Sequence, residues 1–177
     1  MTESKTKSNG ILNVRELLED IRLVGPGIGE YLRTLFSRVD PNDDGEFIVV
    51  HRDEKATYRL TSFRPDQLKE ASQFISNYKH PESLYLKCSL FDIEQIRSRG
   101  TAAIGLSSEV TTVTAAVLDI DAGKGGKYAP QDKTLDALMS LGITFTMIVA
   151  SDGEAGGFHV YLVFDEPIRI ESTKQLK

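Results

Sequence analysis

Asp119 and Asp121 stand two residues apart at the end of an apolar run, Ala115 to Leu118, that reads as a buried strand. Side chains on a strand alternate faces, so both carboxylates are expected to point the same way. Like charges so close repel, and a divalent cation relieves the repulsion. All-oxygen donors suit Mg2+ or Mn2+. The chain then breaks into a loop carrying Lys124 and Lys127 among Gly123, Gly125 and Gly126. Glycines let a backbone approach a phosphate, and lysines act on it as point charges. His159 follows a glycine turn further on. Together these groups suit a metal-bound nucleoside triphosphate, with a hydroxyl attacking the α-phosphate in line. Taken singly they have plainer readings. Asp-x-Asp also serves glycosyltransferases that bind metal and a sugar nucleotide. The aspartates could equally be capped by Lys124 or Lys127, His159 could be structural, and the loop could be a solvated connection. It is not a P-loop, because Gly-Lys-Ser/Thr at the required spacing is absent.

Several elements must position these residues. A strand is expected at 112–121, a helix at 130–141 with Leu135, Leu138, Met139 and Leu141 inward, and Gly142 as its cap. A strand at 145–150 and a glycine turn lead to a strand at 158–164, which Asp165-Glu166-Pro167 should end. That crossover and hairpin can bring His159 beside the aspartates. Upstream, a helix is expected at 11–24 and a second one carrying Tyr31, Leu32, Leu35 and Phe36. Antiparallel strands at 46–52 and 56–62 follow, then a helix from Pro65 to about Tyr78, a strand at 83–88 and a helix from Phe91 to Ser98. The turn Gly25-Pro26-Gly27-Ile28-Gly29 resembles a helix-hairpin-helix, but Tyr31, Leu32 and Arg33 depart from it. A helix stop followed by a helix start is preferred. Asp40 to Gly45 looks like the opening of an EF-hand loop, but its twelfth position is His51, so a turn into a hairpin is the better reading.

Composition narrows the setting. Hydrophobic residues make up 40% and charged residues 27% of the 177, ordinary for a globular protein. No apolar run approaches a membrane span, and Met1 to Asn9 is too polar for a signal peptide. No membrane partner is expected. The single cysteine, Cys88, fits a reducing, cytoplasmic setting and excludes an internal disulfide. A net charge of −5 does not advertise a duplex-DNA binder, though a local basic groove can act within an acidic protein.

In order and spacing, Val117 to Lys124, then Phe145 to Ser151, then Gly156 to Pro167 resemble the catalytic core of archaeo-eukaryotic-type primases. The nearest flavour is the primase–polymerase domain of plasmids, phages and mobile elements. In that family the first motif is Asp-x-Asp on a strand and the second is a small residue, any residue, then His, met here by Gly157-Phe158-His159. The resemblance covers roughly residues 84–170 and implies template-directed primer synthesis. Asp119 and Asp121 would hold two divalent metals and His159 would contact the triphosphate. The implied partners are a single-stranded DNA template, nucleoside triphosphates and a helicase domain or protein. The implied fold is α/β (α+β), a twisted, mostly antiparallel sheet like the RNA-recognition-motif core, with flanking helices. Lys124 and Lys127 are added from chemistry alone as phosphate or template contacts. Arg97 and Arg99, before the Asp-x-Asp strand, join as nucleic-acid contacts, and Arg33, Arg38, Arg52 and Arg59 could assist or simply be solvated.

One departure matters. The family's third acid lies on a later strand, and only ten residues follow Pro167. A truncated catalytic core is therefore expected: a polar tail at 1–10, a helical and hairpin segment at 11–82, and the core at 83–177. The second reading is a non-catalytic nucleic-acid- or nucleotide-binding module of a replication protein. The third is a metal-dependent sugar-nucleotide transferase.

Overall fold

The computed structural model describes residues 27–53, 57–100, 104–123, 126–150 and 156–171. The expected helix at 11–24 lies outside them. Helix α1 (Ile28–Phe36) buries Leu32, Leu35 and Phe36 along one stripe. Phe36 stacks on Phe47 with ring centroids 4.3 Å apart, and Phe47 stacks in turn on Phe63. Those two rings belong to strands β1 (Glu46–Arg52) and β2 (Tyr58–Phe63), paired antiparallel from Phe47↔Phe63 to Arg52↔Tyr58. Helix α2 (Leu68–Ser76) packs beside α1 and is shorter at both ends than its sequence suggests. Strand β3 (Tyr85–Phe91) takes in Phe91, which was expected in the next helix, and α3 (Ile93–Ser98) begins after Asp92, whose carboxylate caps the Gln95 amide. Strand β4 (Val110–Ile120), helix α4 (Gln131–Ser140), strand β5 (Met147–Ala150) and strand β6 (Phe158–Arg169) complete the order.

Among the described residues, six strands form one mostly antiparallel sheet in the order β2-β1-β3-β4-β6-β5. The α+β class is as expected. β1 pairs with β3 as well as β2, so the hairpin at 46–63 and the strands from 85 onward share one sheet. One hydrophobic cluster fills the face under α1 and α2, and includes Phe47, Leu90, Ala115 and Tyr161. A second cluster, on the other face, joins Ile48 and Val50 to Ile93 and Ile96 of α3. His51 reaches Tyr78 (Nδ1 to Oη, 2.9 Å) and Thr61 (Nε2 to Oγ1, 3.1 Å), while Tyr78 donates its hydroxyl to the Arg52 carbonyl.

By contacts the chain forms two compact units. One holds the described parts of Pro26–Asp119, Phe145–Val149 and His159–Lys177. The other holds those of Ile120–Thr144 and Ala150–Phe158.

Three sequence expectations are corrected. Val117 and Leu118 are exposed, not buried, because the core reaches β4 at Ala115 and the strand runs on past it. Met139 and Leu141 are also exposed: the buried stripe of α4 consists of Leu135 and Leu138, and Leu141 lies beyond the helix end. Asp165-Glu166-Pro167 does not stop β6, which continues to Arg169. Ile170 donates its N–H to the Thr111 carbonyl of β4, whereas the Tyr161 carbonyl accepts from Thr146 just ahead of β5. Backbone groups alternate sides along a strand, so Pro167 turns its missing N–H away from β4, past the start of β5. The ring removes no bond to β4, and the strand survives it.

Candidate functional site

Asp119 sits near the end of β4 and His159 near the start of β6, the neighbouring strand. His159 Nε2 lies 3.6 Å from Asp119 Oδ1. Both are open to solvent, with 79% of the Asp119 side chain and 43% of the His159 side chain exposed. An exposed contact of this length contributes little to stability. Exposure leaves both groups accessible to a ligand. On a strand His159 shares its face with Tyr161, which belongs to the cluster under α1 and α2. The hydroxyl of Tyr161 accepts from Tyr31 at 2.8 Å, and Cys88 Sγ lies 3.9 Å from the Tyr31 hydroxyl. Burial pushes all three of these groups up, so they stay neutral beneath the site.

Asp121 stands one residue past β4, in the other compact unit, and is exposed. In that unit Gly157 packs directly on the backbone of the Asp-x-Asp segment. A Cβ at Gly157 would lie 1.9 Å from the Ile120 carbonyl oxygen and 3.0 Å from the Asp121 Cα. The small residue two places before His159 is thus dictated by backbone approach. After Asp121 the chain turns at Gly123, with φ of 67°, and the Gly123 amide donates to the Ala129 carbonyl at 2.8 Å. Lys127 in this loop lies over the Tyr128 ring, Nζ 5.1 Å from its centroid. Lys124 lies outside the described residues.

Arg97 and Arg99 serve neighbouring elements. Arg97 Nη2 comes within 3.5 Å of the Ser62 hydroxyl. Arg99 forks onto Glu109, with Nη2 to Oε2 at 2.8 Å, and Oε2 also accepts the Leu106 amide at 2.6 Å. Glu109 is buried, and the Arg99 hydrogen bonds and the Leu106 amide outweigh burial and hold its carboxyl below the usual range. Sequence reasoning missed this pair, which fastens the end of α3 to the turn before β4. No periodic pattern links residues ten apart across such a loop. Arg38, which the sequence offered as a nucleic-acid contact or a solvated cation, instead meets Asp165 at 2.7 Å and the Phe164 carbonyl at 3.2 Å. Arg52 and Arg59 are engaged as well, with Tyr58 and with Asp53.

Among the described residues no three His, Cys, Asp or Glu side chains are gathered as metal ligands. The donor types of Asp119 and Asp121 fit a hard divalent cation, and the imidazole of His159 fits a phosphate oxygen. No helix among the described residues is long and apolar enough to cross a membrane. No family model, curated protein or solved structure matches the chain.

Proposed function

We propose that this chain belongs to a nucleotidyltransferase of the primase–polymerase type, which makes or extends primers on a single-stranded DNA template. The observation that carries the reading is the 3.6 Å approach of His159 to Asp119 across neighbouring strands. Two motifs separated by forty residues converge there at an accessible edge. The fit of Gly157 against Ile120 gives independent support, since it explains the small residue of the second motif.

In this reading Asp119 and Asp121 hold Mg2+ or Mn2+, which when bound neutralises charge on the triphosphate. His159 donates an N–H to a phosphate oxygen and fixes the triphosphate for in-line displacement. The primer hydroxyl forms a new bond to the α-phosphorus, and the bond to the departing pyrophosphate breaks. Lys127, with Lys124 three residues before it in sequence, supplies positive charge suited to phosphate. Arg97 and Arg99 have only a supporting place in this reading, the second because Glu109 already occupies it. A helicase domain or protein acting beside it and a cytoplasmic setting complete the proposal.

The test is primer synthesis and extension on single-stranded DNA with manganese, using the longest reading frame that contains the chain. Asp119→Ala/Asp121→Ala is expected to cut the rate by roughly a hundredfold or more, since it removes the charged groups that organise the reacting phosphate. Full activity in the double variant would refute the site. Transfer from a sugar nucleotide, with indifference to nucleoside triphosphates, would replace the reading with a glycosyltransferase.

A further inference from the structure

The opposite face of the same sheet carries a second accessible group of side chains. Arg52 pairs with Tyr58 across β1 and β2, and Val50 pairs with both Leu60 and Tyr85. Directly opposed residues share a face, and so do alternate residues along a strand. Arg52, Tyr58, Tyr85 and Lys87 therefore lie on one face with Val50. Val50 packs in the cluster with Ile93 and Ile96, so this is the α3 face. His159 shares its face with Tyr161, on the α1 and α2 side.

Tyr85 is 52% exposed although β3 is an internal strand. The Arg52 guanidinium lies over the Tyr58 ring, 4.7 Å from its centroid, and its Nη2 donates to the Tyr58 hydroxyl at 2.6 Å. The pair forms a second flat, polar-edged surface beside Tyr85. Further along β2, Arg97 of α3 reaches Ser62, four residues from Tyr58 and so about 13 Å away at the rise of a strand. Glu46 lies at the far end of β1, about 20 Å from Arg52 by the same rise, and there it lines a pocket with Arg97, Asp43, Asp44, Asp92 and Glu94, so the acids gather at the Arg97 end and away from Arg52 and Tyr58. Aromatic rings interleaved with guanidinium and ammonium groups suit unpaired bases joined by phosphates. Bases stack on Tyr and on Arg planes, and cations meet the backbone. An apolar protein partner would instead need a continuous apolar patch, which charged and hydroxyl groups interrupt here.

We propose that this face binds single-stranded nucleic acid at its Arg52 end: Tyr85 and the Arg52–Tyr58 pair stack on neighbouring bases, and Lys87 meets the phosphates, while the acids around Arg97 bound the site at the other end. The surface is separate from the Asp119 edge and needs no metal. It is tested by fluorescence anisotropy of a short labelled oligo-dT with the full chain in EDTA, over a series of KCl concentrations. Tyr85→Ala is expected to weaken binding about tenfold, and Tyr85→Phe to hold it within about twofold, because stacking needs the ring and not the hydroxyl. Arg52→Ala is expected to weaken binding and flatten the salt dependence by about one ion. Lys87→Glu, which reverses a half-buried charge on the same face, is expected to weaken binding at low salt even if Tyr85→Ala fails to fold. Unchanged affinity in Tyr85→Ala and Lys87→Glu would overturn the proposal, as would salt-independent binding. Loss in Asp119→Ala/Asp121→Ala with retention in Tyr85→Ala would also overturn it, by moving the contact to the other face. A change in sedimentation with Tyr85→Ala but none in oligonucleotide affinity would assign the face to protein contact and overturn it too.

Discussion

His51 illustrates how a residue outside the candidate site can still be read for its chemistry. Tyr78 spends its proton on the Arg52 carbonyl, so it accepts from His51 Nδ1, and Nε2 lies 3.1 Å from the Thr61 hydroxyl. The network fixes a proton on Nδ1, and burial favours the neutral ring, in which Nε2 accepts from Thr61. Its affinity for a proton is lowered chiefly by burial, and also by Arg59, against the opposing pull of Asp53. The linkage sign follows from this. Above the ordinary value of 6.5 both folded and unfolded chains carry a neutral ring, and stability is unaffected. Below 6.5 the unfolded chain takes the proton first, so stability falls until pH passes the lowered native value. Urea unfolding at a series of pH values from 7.5 to 5 should show this loss in the wild type, and His51→Asn should flatten it. An equal slope in both would remove His51 as the cause. At this scale the approach of His159 to Asp119 was legible, because a crossover followed by a hairpin can bring the two together. The Glu109–Arg99 pair was not, because a buried acid and its cation on opposite sides of a loop leave no spacing signal.

Elements were legible where periodicity was strong. The stripe Leu32, Leu35, Phe36 marked α1, and the alternation in Phe158 to Phe164 marked β6. They were misread where a local rule met a nonlocal exception. An apolar run such as Ala115 to Leu118 reads as buried whether or not anything covers its end, and cover is set by distant elements. The Gly157 contact yields a prediction at this scale. Gly157→Ala places a methyl group into the Ile120 carbonyl, where backbone must move to admit it. A cost of about 1–3 kcal/mol is expected, read as a lowered midpoint of thermal unfolding. An unchanged midpoint would mean that the two backbones part freely there.

At the scale of the molecule, the strand order was only partly legible. Helix 130–141 between two strands argued for a crossover, and the glycine-rich 151–157 for a hairpin. What sequence did not disclose is that β6 lies between β4 and β5, the arrangement that sets His159 beside Asp119. Nor did it show that β1 joins β3, which makes the early hairpin part of the sheet that carries Asp119 and His159. Pairings of that kind depend on residues far apart in sequence, and local pattern is silent about them.

Pro167 has a further consequence, for behaviour at high concentration. Among the described residues no strand of this sheet lies on the outer side of β6 past the start of β5, and such a flank is a template on which a second molecule can lengthen the sheet. Pro167 deletes a donor from that flank, and before it stand Glu166, an exposed acid, and Asp165, exposed and paired with Arg38. The break in the hydrogen-bonding ladder and the negative charge together act as a gatekeeper against fibrous self-association. Replacing Pro167 with Val would restore the donor in a β-branched residue, and light scattering on prolonged incubation should rise earlier than in the wild type. If the two time courses coincide, the protection must come from elsewhere.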